Sequence, residues 1–313
     1  VLTKKEATVI PQRLVESVPN ISEGRDQAVI AKLTAGLQAV PQVALLDVHV
    51  DPDHHRSVFT MVGEPEAMGT ALFRLVQQAQ QLLDIRKHQG EHPRIGVVDV
   101  VPWIPLQGVT MEDCVMYAED LGARVGQELE IPVYLYEQAS RVPSRAKLET
   151  IRRGGLSNLQ ARMKTDSEWQ PDYGPPLIHQ TAGAIAVGAR FFLIAFNVVL
   201  QSDELEVAGH IAKAIRTSSG GLPSVKAMGV PLLSRQLVQV SMNLTDFRET
   251  SLRMAFEAVK REAHRYGVEI IESEIVGLVP QVAWDDKLLY DLKLTPMRSN
   301  PIVEYRLEQS SVF

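Results

Sequence analysis

A single cysteine, Cys114, stands among the 313 residues. One thiol excludes an intramolecular disulfide and any cysteine-based zinc cluster, and it fits a reducing compartment. Asp113 and Val115-Met116 flank it in a helix-like stretch with no base beside the sulfur, so a packed thiol is expected rather than a nucleophile. Runs of Lys and Arg are also missing. The formal charge of -6 is spread along the chain, which argues against nucleic-acid or membrane partners and leaves a small molecule as the expected one. No apolar segment reaches the length of a membrane span. The charged start Val1-Leu2-Thr3-Lys4-Lys5-Glu6 precedes no apolar run of the kind a secretory leader carries, so a cytoplasmic location is the expectation.

What is present is a chain with 45% apolar residues, long enough to bury a large core and to form two lobes. The pattern predicts a strand over 13–18, a helix over 27–38, a hairpin of strands 43–50 and 57–63, and a helix opened by Glu64-Pro65-Glu66 and running to 83. A strand over 95–103, a helix over 112–129 and a strand over 132–136 follow. Residues 139–174 are charged and contain Pro and Gly, with weak apolar patterning, and read as a linker. Beyond it come strand 191–199, helix 203–216, strands 225–231 and 237–244, helix 250–266 and strand 268–276. The second half is thus β-α-β-β-α-β, and the first half begins in the same order. The expected fold class is α/β (α+β), with two similar lobes, each a mixed β-sheet layered with helices. Residues 1–185 are assigned to the first and 186–313 to the second. Ser218-Ser219-Gly220-Gly221-Leu222-Pro223 reads as a surface loop or a lid.

Chemistry concentrates in Gly90-Glu91-His92-Pro93-Arg94, where a titratable imidazole and a permanent cation share a turn stiffened by proline. That pairing suits proton transfer near an anionic substrate. Its plain alternative is a histidine bonded to turn carbonyls and an arginine paired with Glu91 or Asp99. The run His49-Val50-Asp51-Pro52-Asp53-His54-His55 has ligand types for a metal but neither the helical spacing of a zinc protease nor the Gly and terminal Glu of a calcium loop. A hydrogen-bonded turn is the expectation there, and no metal is predicted.

Longer stretches carry a resemblance. Val15-Glu16-Ser17-Val18-Pro19-Asn20-Ile21-Ser22-Glu23-Gly24, Leu46-Asp47-Val48, Asp53-His54-His55-Arg56-Ser57-Val58 and Arg86 through Arg94 are similar to the formiminotransferase family. The likeness continues through Val133-Tyr134-Leu135-Tyr136, Pro171-Asp172-Tyr173-Gly174-Pro175, Gly188 through Asn197, and Val276-Gly277-Leu278-Val279-Pro280. It covers nearly the whole chain. The resemblance implies transfer of the formimino group of N-formimino-L-glutamate to tetrahydrofolate, the co-substrate, giving 5-formiminotetrahydrofolate and glutamate in histidine degradation. It also implies a folate channel between two lobes, pairing as a homodimer, and the family's catalytic histidine at His92. The folate-contacting segment falls on Gly174, Pro175, Pro176, Leu177, Ile178, His179, Gln180, Thr181, Ala182 and Gly183. Vertebrate members carry a fused cyclodeaminase; this sequence ends at Phe313, so a separate ammonia-releasing enzyme is expected to act downstream.

Within the matched motifs, Arg94, Arg56 and Arg190 are the candidate partners for the donor's carboxylates, and Asp99 is a candidate to orient His92. Three other readings remain open at this point: formyl transfer from N-formylglutamate, non-catalytic binding of reduced folate, and a metal hydrolase built on the His49 to His55 run.

Overall fold

A computed structural model describes residues 12–90, 93–295 and 300–312. The chain begins with two short strands, β1 (Leu14–Ser17) and β2 (Asn20–Ile21). The first lies within the strand expected over 13–18 and stops before Pro19, which has no N–H to give a ladder; the second falls where a loop is expected. Helix α1 (Gln27–Gln38) starts where the Asp26 carboxylate accepts the Ala28 and Val29 N–H groups. The hairpin β3 (Val43–Asp51) and β4 (Arg56–Gly63) leads into α2 (Pro65–Leu82), which opens with proline in its first turn. Next come β5 (Val98–Gln107), α3 (Met111–Glu128), opened by a reciprocal Thr110–Asp113 cap, and β6 (Val133–Glu137). The strand expected from 95 thus starts three residues later. The cause is the approach of Gly96 to residues 182–184, where even a Cβ would meet the Ala184 carbonyl oxygen at 2.0 Å.

Residues 139–174 are no linker. They form α4 (Leu148–Arg152) and α5 (Gly155–Thr165) and bury Ile151, Leu159, Met163 and Trp169 against Tyr134, Tyr136 and Ala186. The apolar spacing is weak because two short helices and turns share it, so neither shows a full helical stripe. Strand β7 (Ile185–Ala189) then slots between β5 and β6, parallel to both, and completes a seven-stranded mixed sheet. Its β5, β1, β4 and β3 lie side by side, which is the 4-1-3-2 order of a ferredoxin-like unit. Helices α1, α2 and α3 cover one face through the largest apolar cluster.

The second sheet comprises β8 (Ile194–Leu200), β9 (Val225–Leu232), β10 (Leu237–Leu244) and β11 (Ile270–Val276), with α6 (Leu205–Ile215) and α7 (Leu252–Arg265) as its crossovers. The order β11-β8-β10-β9 repeats the same plan. Every pairing in it is antiparallel, so only the larger of the two sheets is mixed. Alternate residues Ile194, Phe196, Val198 and Leu200 pack under α6 and α7, which leaves Asn197 and its neighbours on the opposite face. Residues 218–223 form a turn with Gly220 at φ +84, the left-handed backbone that glycine tolerates. Two short helices, α8 (Leu288–Asp291) and α9 (Val303–Glu308), end the chain, and α9 returns to the larger lobe to bury Val303 and Leu307 beside Leu14, Ala44 and Val62. Among the described residues no helix is long and apolar enough to cross a membrane.

Candidate active site at the interlobe seam

Beyond the parts covered by α4, α5 and α9, the larger lobe meets the smaller along a polar seam. The β3–β4 turn clasps the β9–β10 turn: Ser234 donates its backbone N–H (3.1 Å) and hydroxyl (2.6 Å) to the Asp53 carboxylate. Beside this contact the His54 ring lies 3.2 Å from the Gln239 side-chain amide of β10, and His49 lies 3.6 Å from Glu274 of β11. Lys226 of β9 reaches Glu137 (3.3 Å) and Glu149 (3.0 Å) on the larger lobe.

A small pocket opens in the larger lobe at this seam, lined by Ile21, Ser22, His54, His55, Arg56, Arg94 and Asp99. Each wall has a local cause. His54 is buried; its backbone N–H donates to Asp51 Oδ1 at 2.9 Å, and its ring Nδ1 bonds the other Asp51 oxygen. Burial alone would raise the Asp51 pKa, but the His54 contacts outweigh it and hold the carboxyl below its usual range. His55, in a left-handed turn conformation (φ 50), faces Glu23 Oε1 at 3.1 Å through one ring nitrogen and the Gln89 carbonyl oxygen at 2.8 Å through the other. Its ring stacks on His88 with centroids 4.1 Å apart. Burial, helped by Arg94 and His55, pushes the His88 pKa down to about 4, so His88 is neutral near pH 7. Gly90 passes so close to the turn that a Cβ would sit 2.5 Å from the His54 carbonyl oxygen.

The cations differ in how they are held. Arg94 donates to the Gly90 carbonyl oxygen at 2.9 Å. The side chain of Arg56, the first residue of β4, makes no hydrogen bond or ion pair among the described residues. Burial, followed by repulsion from Arg152, lowers its pKa to about 10, against attraction from Asp99, Asp51 and Glu274. It remains charged at neutral pH. Asp99 is buried, with Oδ1 accepting the Ile95 N–H at 2.7 Å and Oδ2 paired with Arg152.

The sequence-based candidates therefore separate. Arg56, Arg94 and Asp99 come together at the pocket. Arg190 does not: it follows β7, its backbone N–H donates to the Trp103 carbonyl oxygen, and its guanidinium donates to the Phe191 carbonyl oxygen at 2.9 Å. Trp103 is four residues along β5 from Asp99, which at strand spacing is about 13 Å. His92 lies outside the described residues, between Gly90 and Pro93-Arg94, which flank the pocket.

Of the segment 174–183, Gly174 (φ +81) sits against the Ile131 carbonyl, and Pro176, Leu177 and Gln180 are exposed. His179 and Gly183 pair through both backbone groups at 3.0 Å, and the Val97 N–H donates to the Ala182 carbonyl oxygen at 2.9 Å. The end of the segment is thereby laid alongside residues 95–97, next to Asp99. The imidazoles of 49–55 go to separate partners, and no group of three His, Cys, Asp or Glu among the described residues is arranged to hold a metal. Cys114 is buried, and burial lifts its pKa to about 12, so the thiol is inert. Sequence reasoning missed Arg152, because it lies in the stretch that reads as a linker.

A guanidinium without a partner among the described residues, beside a histidine-rich turn at the seam of two ferredoxin-like lobes, suits a group transferase acting on small anions. Matches to known sequences carry this further. The N-terminal subdomain of the formiminotransferase domain matches residues 14–190, and a second formiminotransferase-domain family matches 195–290. The chain belongs to the formiminotransferase family. Among its relatives, the glutamate formimidoyltransferase of Streptococcus pyogenes serotype M1 is 44% identical over 282 residues, covering 90% of this chain and 94% of that protein. That of Thermoplasma acidophilum is 44% identical over 299 residues, covering 95% and 98%. The formimidoyltransferase-cyclodeaminase of Rattus norvegicus is 43% identical over 274 residues, covering 86% of this chain and 50% of that protein.

Proposed function

We propose that this chain is a glutamate formimidoyltransferase that moves the formimino group of N-formimino-L-glutamate to tetrahydrofolate. One observation carries the reading: 44% identity to proteins of that name along 94–98% of their own length. The chemistry needs an amine of the folate to attack the formimino carbon, the bond from that carbon to the glutamate nitrogen to break, and a proton to pass from the first nitrogen to the second. His92 is assigned that transfer, as base and then as acid, a role typically worth about 10²- to 10⁴-fold in rate. No covalent enzyme intermediate is required, and the remaining rate comes from holding two substrates in line.

Arg56 takes a carboxylate of the donor. Its support is the absence of any partner, among the described residues, for a charged, half-buried guanidinium at the pocket. Arg94, which lines the same pocket, extends the positive wall. The segment from Gly174 to Gly183 forms the folate side, and Arg190, which follows β7, is assigned the carboxylates of a folate tail. The enzyme acts in the cytoplasm as a homodimer, and a separate enzyme releases ammonia from the product.

The test is a steady-state assay of the pure protein with tetrahydrofolate and either N-formimino-L-glutamate or N-formyl-L-glutamate. Turnover is expected with the formimino donor, and His92→Gln is expected to lower kcat by about 10²-fold or more with folding unchanged. Turnover with the formyl donor alone overturns the donor assignment, and normal turnover by His92→Gln removes that residue from the chemistry.

A further inference from the structure

We infer that Arg152 and Arg56 together form a two-guanidinium subsite for one carboxylate of a small dicarboxylate donor; this rests on the transferase reading above. Arg152 ends α4, and its side chain, 13% exposed, reaches across to Asp99 of β5.

Among the described residues, the carboxylates that attract Arg56 are already engaged. Asp99 takes the Ile95 N–H and Arg152, Asp51 takes the His54 backbone and ring, and Glu274 takes Asn197 (3.4 Å) and His49 (3.6 Å). The Arg56 guanidinium has no partner among the described residues. Among the described residues Arg152 bonds through a single nitrogen, and its buried Nε has no acceptor. A guanidinium carries five N–H donors in a rigid fork, and buried donors left without acceptors cost desolvation that nothing returns. Two such forks with one carboxylate between them leave one positive charge in excess, beside that of Arg94, and several idle donors.

A planar monoanion with two acceptor oxygens answers both needs. A dianionic phosphate fits less well, because Asp99 and, beyond it, Asp51 and Glu274 would repel its second charge. The occupant is therefore a carboxylate. The donor molecule carries two, and the product amino acid keeps both.

The experiment compares native protein, Arg152→Gln and the double variant Arg152→Gln/Asp99→Asn, measuring donor KM, tetrahydrofolate KM and kcat separately. In the double variant the side-chain amide that replaces the Asp99 carboxylate keeps an oxygen for the Ile95 N–H, and both charges of the Arg152–Asp99 pair are removed together, so this variant reports even where the single one folds poorly. Direct binding of L-glutamate by calorimetry gives a readout free of turnover. The expected result is a rise of about 10- to 100-fold in donor KM and in the glutamate Kd, in both variants, with tetrahydrofolate KM unchanged. Donor KM within twofold of native, or restored to native in the double variant, overturns the inference, since Arg152 would then only neutralise Asp99. Absence of transfer by the native protein instead overturns the reading on which the inference rests.

Discussion

Asp172 stands two residues before the segment assigned to folate, and it forms with Arg145 the most buried ion pair described, with side chains 4% and 2% exposed. Its carboxylate accepts the Leu135 N–H at 2.7 Å and two Arg145 donors at 2.7 and 3.0 Å. Arg145 also donates to the Glu168 carbonyl oxygen at 2.7 Å and lies 5.2 Å from the Tyr134 ring centroid. Asp172→Ala would strip a buried cation of its counter-charge and leave a strand N–H unanswered, a loss of about 3–5 kcal/mol. Glu128→Ala is the internal control. It breaks the Arg124–Glu128 pair, 48% exposed on both sides, and is expected to cost about 0–1 kcal/mol. Urea unfolding followed by the fluorescence of buried Trp169 reads the larger lobe. A loss for Asp172→Ala within about 1 kcal/mol of the control would refute the claim that this pair anchors the segment.

Two further outcomes test other parts of the fold. Glu16 is buried on β1 with one oxygen unpartnered, and burial, opposed by Arg190 and reinforced by Glu304, raises its pKa from 4.5 to about 8. The native state thus holds a proton that the unfolded chain has released, so stability declines as pH rises through the window from 4.5 to about 8 and levels off above it. Glu16→Gln should flatten that decline, and urea midpoints at mildly acidic and mildly alkaline pH that keep the native difference would refute it. Gly183 has φ +79, and an added Cβ would lie 2.4 Å from the Ile95 carbonyl oxygen. Gly183→Ala should therefore cost about 1–3 kcal/mol. Gly209→Ala, in open space on α6, should be neutral or stabilising; equal effects of the two substitutions would show that the close approach does not matter.

Elements with strong local signals were legible in the sequence. Helix 27–38 and strand 237–244 appear with the expected bounds, because a carboxylate cap and an alternating pattern act within a few residues. The β-α-β-β-α-β order of the smaller lobe was equally plain. What local pattern could not reveal was β7, a five-residue strand of small and apolar residues whose pairing partners lie about fifty and eighty-five residues earlier. The same blindness hid α4, and with it Arg152. Of the candidate cations, Arg56 and Arg94 share a wall because the β3–β4 turn folds back on residues 88–90; Arg190 belongs to a motif of equal promise but sits at the far end of the strands, and spacing along the chain carries no trace of that distance.

The late arrival of β7 also has a cost during synthesis. As the nascent chain leaves the ribosome, β5 and β6 are complete by residue 137, yet the strand that joins them is not finished until residue 189. Until then each presents a row of unsatisfied amides and carbonyls, and parallel pairing at this range closes slowly. A chain interrupted before residue 185 is a sheet missing an inner plank, and it invites the equivalent strand of another copy to fill the gap.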